Sequence, residues 1–142
     1  MKTFEAKRAK KFFDILKICD DPTKRDYLTL CLSDLREAIR STKDIGFFCY
    51  RAIESLKRYF IDTQHLENDE KTAWDLFRST LNIDRVKIDF IKQFADPVRH
   101  GGKKQFTTDE GRKILDYTWE IVDKYIVFAS DGYNIPKKGV VK

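Results

Sequence analysis

The apolar side chains between residues 43 and 61 constrain the fold most. They recur at intervals of three and four residues, which is the repeat of an α-helix. They also cover more than half of the helix circumference, and a helix this widely apolar packs against several neighbours. We therefore predict a central helix over 43–61. Its inward positions are Ile45, Phe48, Cys49, Ala52, Ile53, Leu56, Tyr59 and Phe60.

The segments on either side have the same spacing, and no segment alternates apolar and polar residues as a strand does. The sequence therefore predicts an all-α, up-down helical bundle of about five to six helices. The other predicted helices are 4–19, 23–40, 68–81, 84–95 and 107–129. The inward stripe is Ala9, Phe12, Phe13, Leu16 and Cys19 in the first helix, and Leu28, Cys31, Leu32, Leu35, Ala38 and Ile39 in the second.

Short polar residues before several helices predict N-terminal caps. Thr23 with Asp26, and Thr107 with Glu110, have the spacing of a capping box. Further capping residues are predicted at Ser41, Thr42 and Asp44, and at either Asn68 or Asp69.

Length and composition predict one domain and exclude a membrane-spanning protein. Residues 1–130 are expected to form a single helical bundle, and residues 131–142 a loosely ordered basic tail. The net charge is +5, and 36% of the residues are charged. No apolar run approaches the roughly 20 residues that span a bilayer, and the N-terminus lacks the pattern of a signal peptide. We expect a cytoplasmic protein with no membrane partner.

Three cysteines, Cys19, Cys31 and Cys49, lie far apart among apolar residues of helical segments. We interpret them as free cysteines of the core, since cysteine is often buried. The chain has no Cys-x-x-Cys pair and only two histidines. A structural zinc site is therefore not expected, and we predict no metal and no cofactor.

One stretch, Asp96–Lys104, concentrates the side chains that suit phosphate chemistry. The His100 imidazole can move a proton near neutral pH, and the Arg99 guanidinium can hold a phosphate with two hydrogen bonds. Gly101 and Gly102 let a ligand approach the backbone, and Lys103 and Lys104 raise the positive potential. A structural interpretation is equally open, because basic residues and glycine are also typical of a helix C-terminus.

The central helix carries a polar strip that faces away from its apolar side, formed by Arg51, Glu54 and Arg58. Their spacing of three and four residues fits an ordinary ladder of charges. The alternative is that Arg51 or Glu54 faces the Asp96–Lys104 stretch. In that case the predicted ligand-binding residues are Arg51, Glu54, Arg99, Gly101, Gly102 and Lys103.

These features resemble the HEPN superfamily of helical bundles over about residues 44–129. The resemblance rests on the helix Tyr50–Leu56, on an apolar helix running into Val98-Arg99-His100-Gly101, and on a long capped final helix. Members are commonly dimers. Many are metal-independent ribonucleases, often of toxin–antitoxin or defence systems, and others are nonenzymatic partners of nucleotidyltransferases or RNA-associated proteins. His100-Gly101 matches the second half of the enzymes' motif, whereas Gln93, Phe94 and Ala95 stand where its arginine is expected.

The resemblance implies a dimer that binds RNA or a nucleotide. In a ribonuclease, His100 of each subunit would exchange protons with the 2′-hydroxyl and the leaving oxygen, and Arg99 and Arg51 would offset phosphate charge. The alternative is a catalytically inactive module that dimerises or binds a partner protein through an aromatic-rich helix face. A third hypothesis, in which the basic first helix lies on a membrane surface, needs Phe12 and Phe13, which the core is expected to use.

Overall fold

The computed structural model describes residues 2–95 and 106–135, with the side chains from residue 5 onward. In these residues the chain forms six α-helices and one short 3-10 turn, Thr42–Asp44, which confirms the predicted all-α bundle. None of the helices in these ranges has the length and apolar character needed to cross a bilayer. The helices are α1 (Lys2–Cys19), α2 (Arg25–Arg40), α3 (Ile45–Gln64), α4 (Glu70–Leu81), α5 (Arg85–Lys92) and α6 (Thr108–Ser130).

Helix α3 is the centre of the bundle, as its wide apolar face predicts. It packs against α2, α4, α5 and α6. Leu56 and Phe60 have no exposed surface, and the Phe60 ring contacts Phe77 of α4 and Phe128 of α6. Burying such side chains contributes about 1.5–3 kcal/mol each, so α3 supplies much of the driving force for folding.

Two of the predicted caps are confirmed. The Thr107 hydroxyl accepts a hydrogen bond from the Glu110 amide at 3.1 Å, and the Glu110 carboxylate accepts one from the Thr107 amide at 2.9 Å. This reciprocal pair satisfies two donors that the start of α6 would otherwise leave free. At the start of α4, the Asp69 carboxylate accepts from the Thr72 amide.

Other predicted caps are wrong. Helix α2 begins at Arg25, and its N-cap residue makes no side-chain cap. The hydroxyl and amide of Thr23 donate instead to the Asp21 carboxylate, at 2.7 and 3.0 Å, so Thr23 belongs to the preceding turn. Ser41 and Asp44 also make no side-chain cap, because a 3-10 turn leads directly into α3.

The predicted inward stripe of α1 is also wrong. Phe12, Phe13 and Leu16 are 60%, 65% and 46% exposed, whereas Ile18 is buried and Ile15 is partly buried. The helix has a second apolar face, which contains these two isoleucines, and that face packs on α6 and the core. Periodicity identified an apolar face correctly but could not say which of two faces is inward.

In α2 the predicted stripe is largely confirmed. Four of its members are buried, while Ile39 is 59% exposed and Leu32 is partly buried. Asp34, which the stripe did not include, is buried because it holds an arginine of α3. The four buried members are Leu28, Cys31, Leu35 and Ala38.

Candidate nucleic-acid interface

Most of the site predicted from the sequence lies outside the residues that the structure describes. Arg99, His100, Gly101, Gly102 and Lys103 all fall between residues 96 and 105. The predicted basic tail is described only as far as residue 135.

The described residues on either side of 96–105 lie close together. The rings of Phe94 and Phe106 lie 6.2 Å apart in an edge-on contact. Phe94 is buried, and its backbone passes so close to Gly46 that a Cβ on Gly46 would lie 2.3 Å from the Phe94 carbonyl oxygen. Gly46 is in the first turn of α3. Phe94 therefore lies beside the N-terminal end of the central helix, in contact with Phe106.

Arg51 of α3 is held by an internal partner. Its Nε and Nη2 donate to Oδ1 of buried Asp34 at 3.0 and 2.7 Å. This hydrogen-bonded pairing raises the pKa of Arg51 above its ordinary value. The guanidinium also lies 5.2 and 5.5 Å from the ring centres of Phe47 and Phe48. Arg51 therefore ties α3 to α2 as well as lining the surface.

Arg51 and Glu54 both line a groove of about 630 Å³ between α2, α3 and the start of α4. We call it the charged groove. Its other cations are also paired. Lys57 contacts Glu70, and Arg58 Nε donates to Asp62 at 3.1 Å. With carboxylates beside every cation, this groove offers little net attraction to a phosphate.

Lys57 is a buried lysine, 3% exposed, at the wall of the charged groove. Its ammonium donates to Glu70 and lies 4.0 Å from the ring centre of Trp74. The pairing with Lys57 lowers the pKa of Glu70. Both partners offset the cost of removing the charge from water, and they fix the position of Trp74 on α4.

Trp74 lines a second groove, of about 290 Å³, between α3, α4 and α5. We call it the basic groove. It carries four cations against two carboxylates. The lining residues are Tyr50, Lys71, Trp74, Asp75, Arg78, Arg85, Ile88, Asp89 and Lys92.

The two carboxylates of the basic groove do not neutralise its cations. Asp75 forms salt bridges with two of them, with Lys71 at 3.0 Å and with Arg78 at 2.6 Å. Asp89 lies 3.5 Å from Arg85. The groove lining therefore keeps a net charge of +2. Exposed cations in a concave surface raise the local concentration of anions.

Two aromatic rings lie among these cations. Tyr50 and Trp74 are partly exposed, and their ring centres lie 6.0 Å apart at an angle of 29° between planes. Lys57 lies over the Trp74 ring and Tyr50 stacks on it, so only the remaining exposed surface of the two rings is open to a base. Cations that follow a groove, together with exposed aromatic surface, are the features with which proteins bind single-stranded nucleic acid.

The basic groove was not predicted from the sequence, although part of its pattern is present there. Lys71, Trp74 and Arg78 follow one another at three and four residues, which places them on one face of α4. Arg85 and Lys92 share a face of α5 in the same way. Periodicity places residues on a helix face, but it does not say which two faces meet.

The cysteines lie as predicted in or near the core. Cys31 and Cys49 are buried and free, and Cys19 is partly buried. Burial raises the pKa of the Cys49 thiol to about 11 and also raises that of Cys31. Neither is a nucleophile at neutral pH. Over residues 2–95 and 106–135, no three His, Cys, Asp or Glu side chains form a group that could hold a metal ion.

The family model for the C-terminal domain of DUF8168, a domain of unknown function, matches residues 16–130. Because the match covers most of the chain, the chain belongs to this family. It includes α2 to α6 and therefore both grooves, while most of α1 precedes it. No curated protein and no solved structure matches the chain.

Proposed function

We propose that this DUF8168 C-terminal domain binds RNA or a nucleotide, with the basic groove as its main contact surface. The observation that carries the proposal is the surplus of cations around Tyr50 and Trp74, of which Lys71, Arg85 and Lys92 are exposed. A phosphate would gain the field of Lys71, Arg78, Arg85 and Lys92, and a base would gain apolar ring surface.

The groove also has a suitable position. Lys92 is the last residue of α5, and the chain runs from there into the segment that contains Arg99, Lys103 and Lys104. These cations lie outside the described residues, but they follow α5 closely in sequence. We propose that they extend the phosphate-binding surface beyond the groove. The volume of about 290 Å³ is near the lower limit of small-ligand sites, which favours one nucleotide of a strand over an enclosed larger ligand.

Binding is proposed without catalysis, because only the sequence of the 96–105 segment argues for catalysis. The HEPN resemblance, the homodimer and the ribonuclease function of His100 remain predictions. Incubation of pure protein with RNA, without added metal, tests the ribonuclease function. Cleavage that disappears in His100→Ala would support it, and intact RNA would count against it.

The test of binding is fluorescence anisotropy with a short labelled single-stranded RNA over a series of salt concentrations. The wild-type affinity should fall steeply with salt, since bound cations displace counterions from the RNA. Lys92→Glu or Arg85→Glu should weaken binding by about tenfold. Each should also reduce the salt slope by about 0.7 for every phosphate that the variant no longer neutralises.

Arg36→Glu is the matched control for Arg85→Glu. Arg36 is an exposed arginine of α2, a helix that does not line the basic groove, and its replacement makes the same change in net charge. Its affinity should stay within about twofold of the wild type. Equal losses of affinity in Arg36→Glu and Arg85→Glu would mean that only net charge matters. Such a result, or the absence of RNA binding, would contradict the proposal.

The alternative is an inactive helical module that binds proteins. One observation favours it, the exposed apolar surface of α1. The two functions differ in salt dependence, because protein binding through an apolar face should change little as salt rises.

A further inference from the structure

We infer that the outward face of α1 is a docking surface for one α-helix of a partner protein, and that this helix carries acidic residues along one edge. This inference is independent of RNA binding. It rests on the exposure, spacing and charges of α1.

The outward face has the spacing of a coiled-coil seam. Ala6, Ala9, Phe13 and Leu16 follow one another at three, four and three residues, and all four are exposed. This is the pattern by which two helices interlock their side chains. Phe12, 60% exposed, borders the same seam. A seam of this kind has room for one partner helix along its length.

The opposite face of α1 is already occupied. Ile18 is buried, Ile15 packs against the core, and Lys11 pairs with Asp123 of α6 at 2.9 Å. Lys17 donates to the Ser130 carbonyl at the end of α6. These contacts hold α1 along α6, so folding does not require the outward seam. The seam is therefore presented on a fixed helix.

The charges on one edge indicate the chemistry of the partner. Lys10 and Lys17 are seven residues apart and therefore lie at the same flanking position of successive heptads. Lys10 pairs with Asp14 in an exposed contact of 3.0 Å, and such a contact is weak in water. Lys17 also donates to the Ser130 carbonyl, so Lys10 is the lysine of this edge that a glutamate or aspartate of the partner helix would meet most directly.

The same lysines disfavour two copies of α1 as an antiparallel pair, because that arrangement places Lys10 and Lys17 against their own copies. A lipid surface is a competing occupant, since the core does not use Phe12 and Phe13. Lipid headgroups, however, would not distinguish the heptad positions of α1. The inference therefore commits to a helix, and the experiment includes both competitors.

The probe is a synthetic helical peptide of about three heptads, with leucine at the two core positions and glutamate at the flanking positions. A second peptide has lysine in place of each glutamate. Binding to the full chain is measured by isothermal titration calorimetry. The glutamate peptide should bind, and the lysine peptide should bind about tenfold more weakly or not at all. Protein with Lys10→Glu, which leaves the contact between Lys17 and the Ser130 carbonyl intact, should lose most of this preference.

The seam itself is tested with Phe13→Asp combined with Leu16→Asp, which should weaken binding of the glutamate peptide by about tenfold or more. Val86→Asp combined with Val127→Asp is the matched control, since these valines are 69% and 54% exposed on α5 and α6. The control should bind like the wild type. Circular dichroism should show unchanged helix content in all variants, because every altered side chain is exposed.

Four results would overturn the inference. The glutamate peptide fails to bind, both peptides bind equally, or the seam and control variants behave alike. The fourth is a different occupant of the seam. Sedimentation velocity would reveal a wild-type dimer that Phe13→Asp with Leu16→Asp dissociates. A lipid surface would be identified by two results together. The wild-type protein would cosediment with vesicles of phosphatidylcholine and phosphatidylserine while the same variant does not, and the glutamate peptide would not bind.

Discussion

Gly46→Ala tests the contact between Phe94 and the first turn of the central helix. A Cβ at this position would lie 2.3 Å from the Phe94 carbonyl oxygen and 2.7 Å from its carbonyl carbon. Both are backbone atoms, so no side-chain rotation relieves the clash. The turn that follows α5 must move away from α3, although its residues Phe94 and Ala95 are 6% and 5% exposed and are packed in place.

The magnitude follows from two opposing effects. Alanine favours helix formation over glycine by about 1 kcal/mol. Overpacking a well-filled site costs about 1–3 kcal/mol, and a clash with backbone belongs at or above the upper end of that range. We expect Gly46→Ala to lower the free energy of unfolding by about 2 kcal/mol. For a chain of this size, that lowers the melting temperature by roughly 6–10 °C.

The assay is urea unfolding followed by circular dichroism, with thermal melting as a second measurement. Gly111→Ala is the matched control in α6. Its Cβ would meet only the ring of Phe106, at 3.0 and 3.2 Å, and a ring can shift. Its stability should stay within about 1 kcal/mol of the wild type, because helix propensity offsets the crowding. A Gly46→Ala protein as stable as Gly111→Ala would refute the close approach of the Phe94 backbone to α3.

Two further predictions concern single hydrogen-bonded contacts. Asp34→Ala should lower the free energy of unfolding by about 1–2 kcal/mol, because it removes two hydrogen bonds from half-exposed Arg51, and urea unfolding measures this. RNA affinity in this variant should stay within about twofold of the wild type, and a large decrease would place Arg51 in the binding surface. Thr107→Ala should cost about 1 kcal/mol through loss of the capping box, with Thr108→Ala as the control. Equal stability of these two threonine variants would contradict the assigned cap.

The features that the sequence predicted correctly depend on local chemistry or on very wide apolar patterns. Helix α3 is apolar around most of its surface, so it is predicted to be central whichever of its faces packs against a given neighbour. The capping box of Thr107 and Glu110 requires only residues three positions apart. Thr23 and Asp26 have the same spacing, but Asp21 competes for the Thr23 hydroxyl and binds it.

The features that the sequence could not predict depend on which surfaces meet. Helix α1 has two apolar faces, and only its packing on α6 selects Ile15 and Ile18 as the inner one. Arg51 was expected to form a ladder along α3 or to face a ligand, but its partner is Asp34 of another helix. The basic groove likewise requires α4 and α5 to lie beside Tyr50, which is a tertiary arrangement.

The chain contains two tryptophans, and their indole N–H signals provide the most direct test of the basic groove. Trp74 lies in the groove, whereas Trp119 is on α6, and its ring centre lies 5.9 Å from the Lys11 ammonium of α1. We would titrate ¹⁵N-labelled protein with short single-stranded RNA and follow both signals by heteronuclear NMR. The Trp74 signal should shift in proportion to saturation, while the Trp119 signal stays in place. A shift of Trp119 alone, or no shift of Trp74 at saturating RNA, would contradict binding in the basic groove.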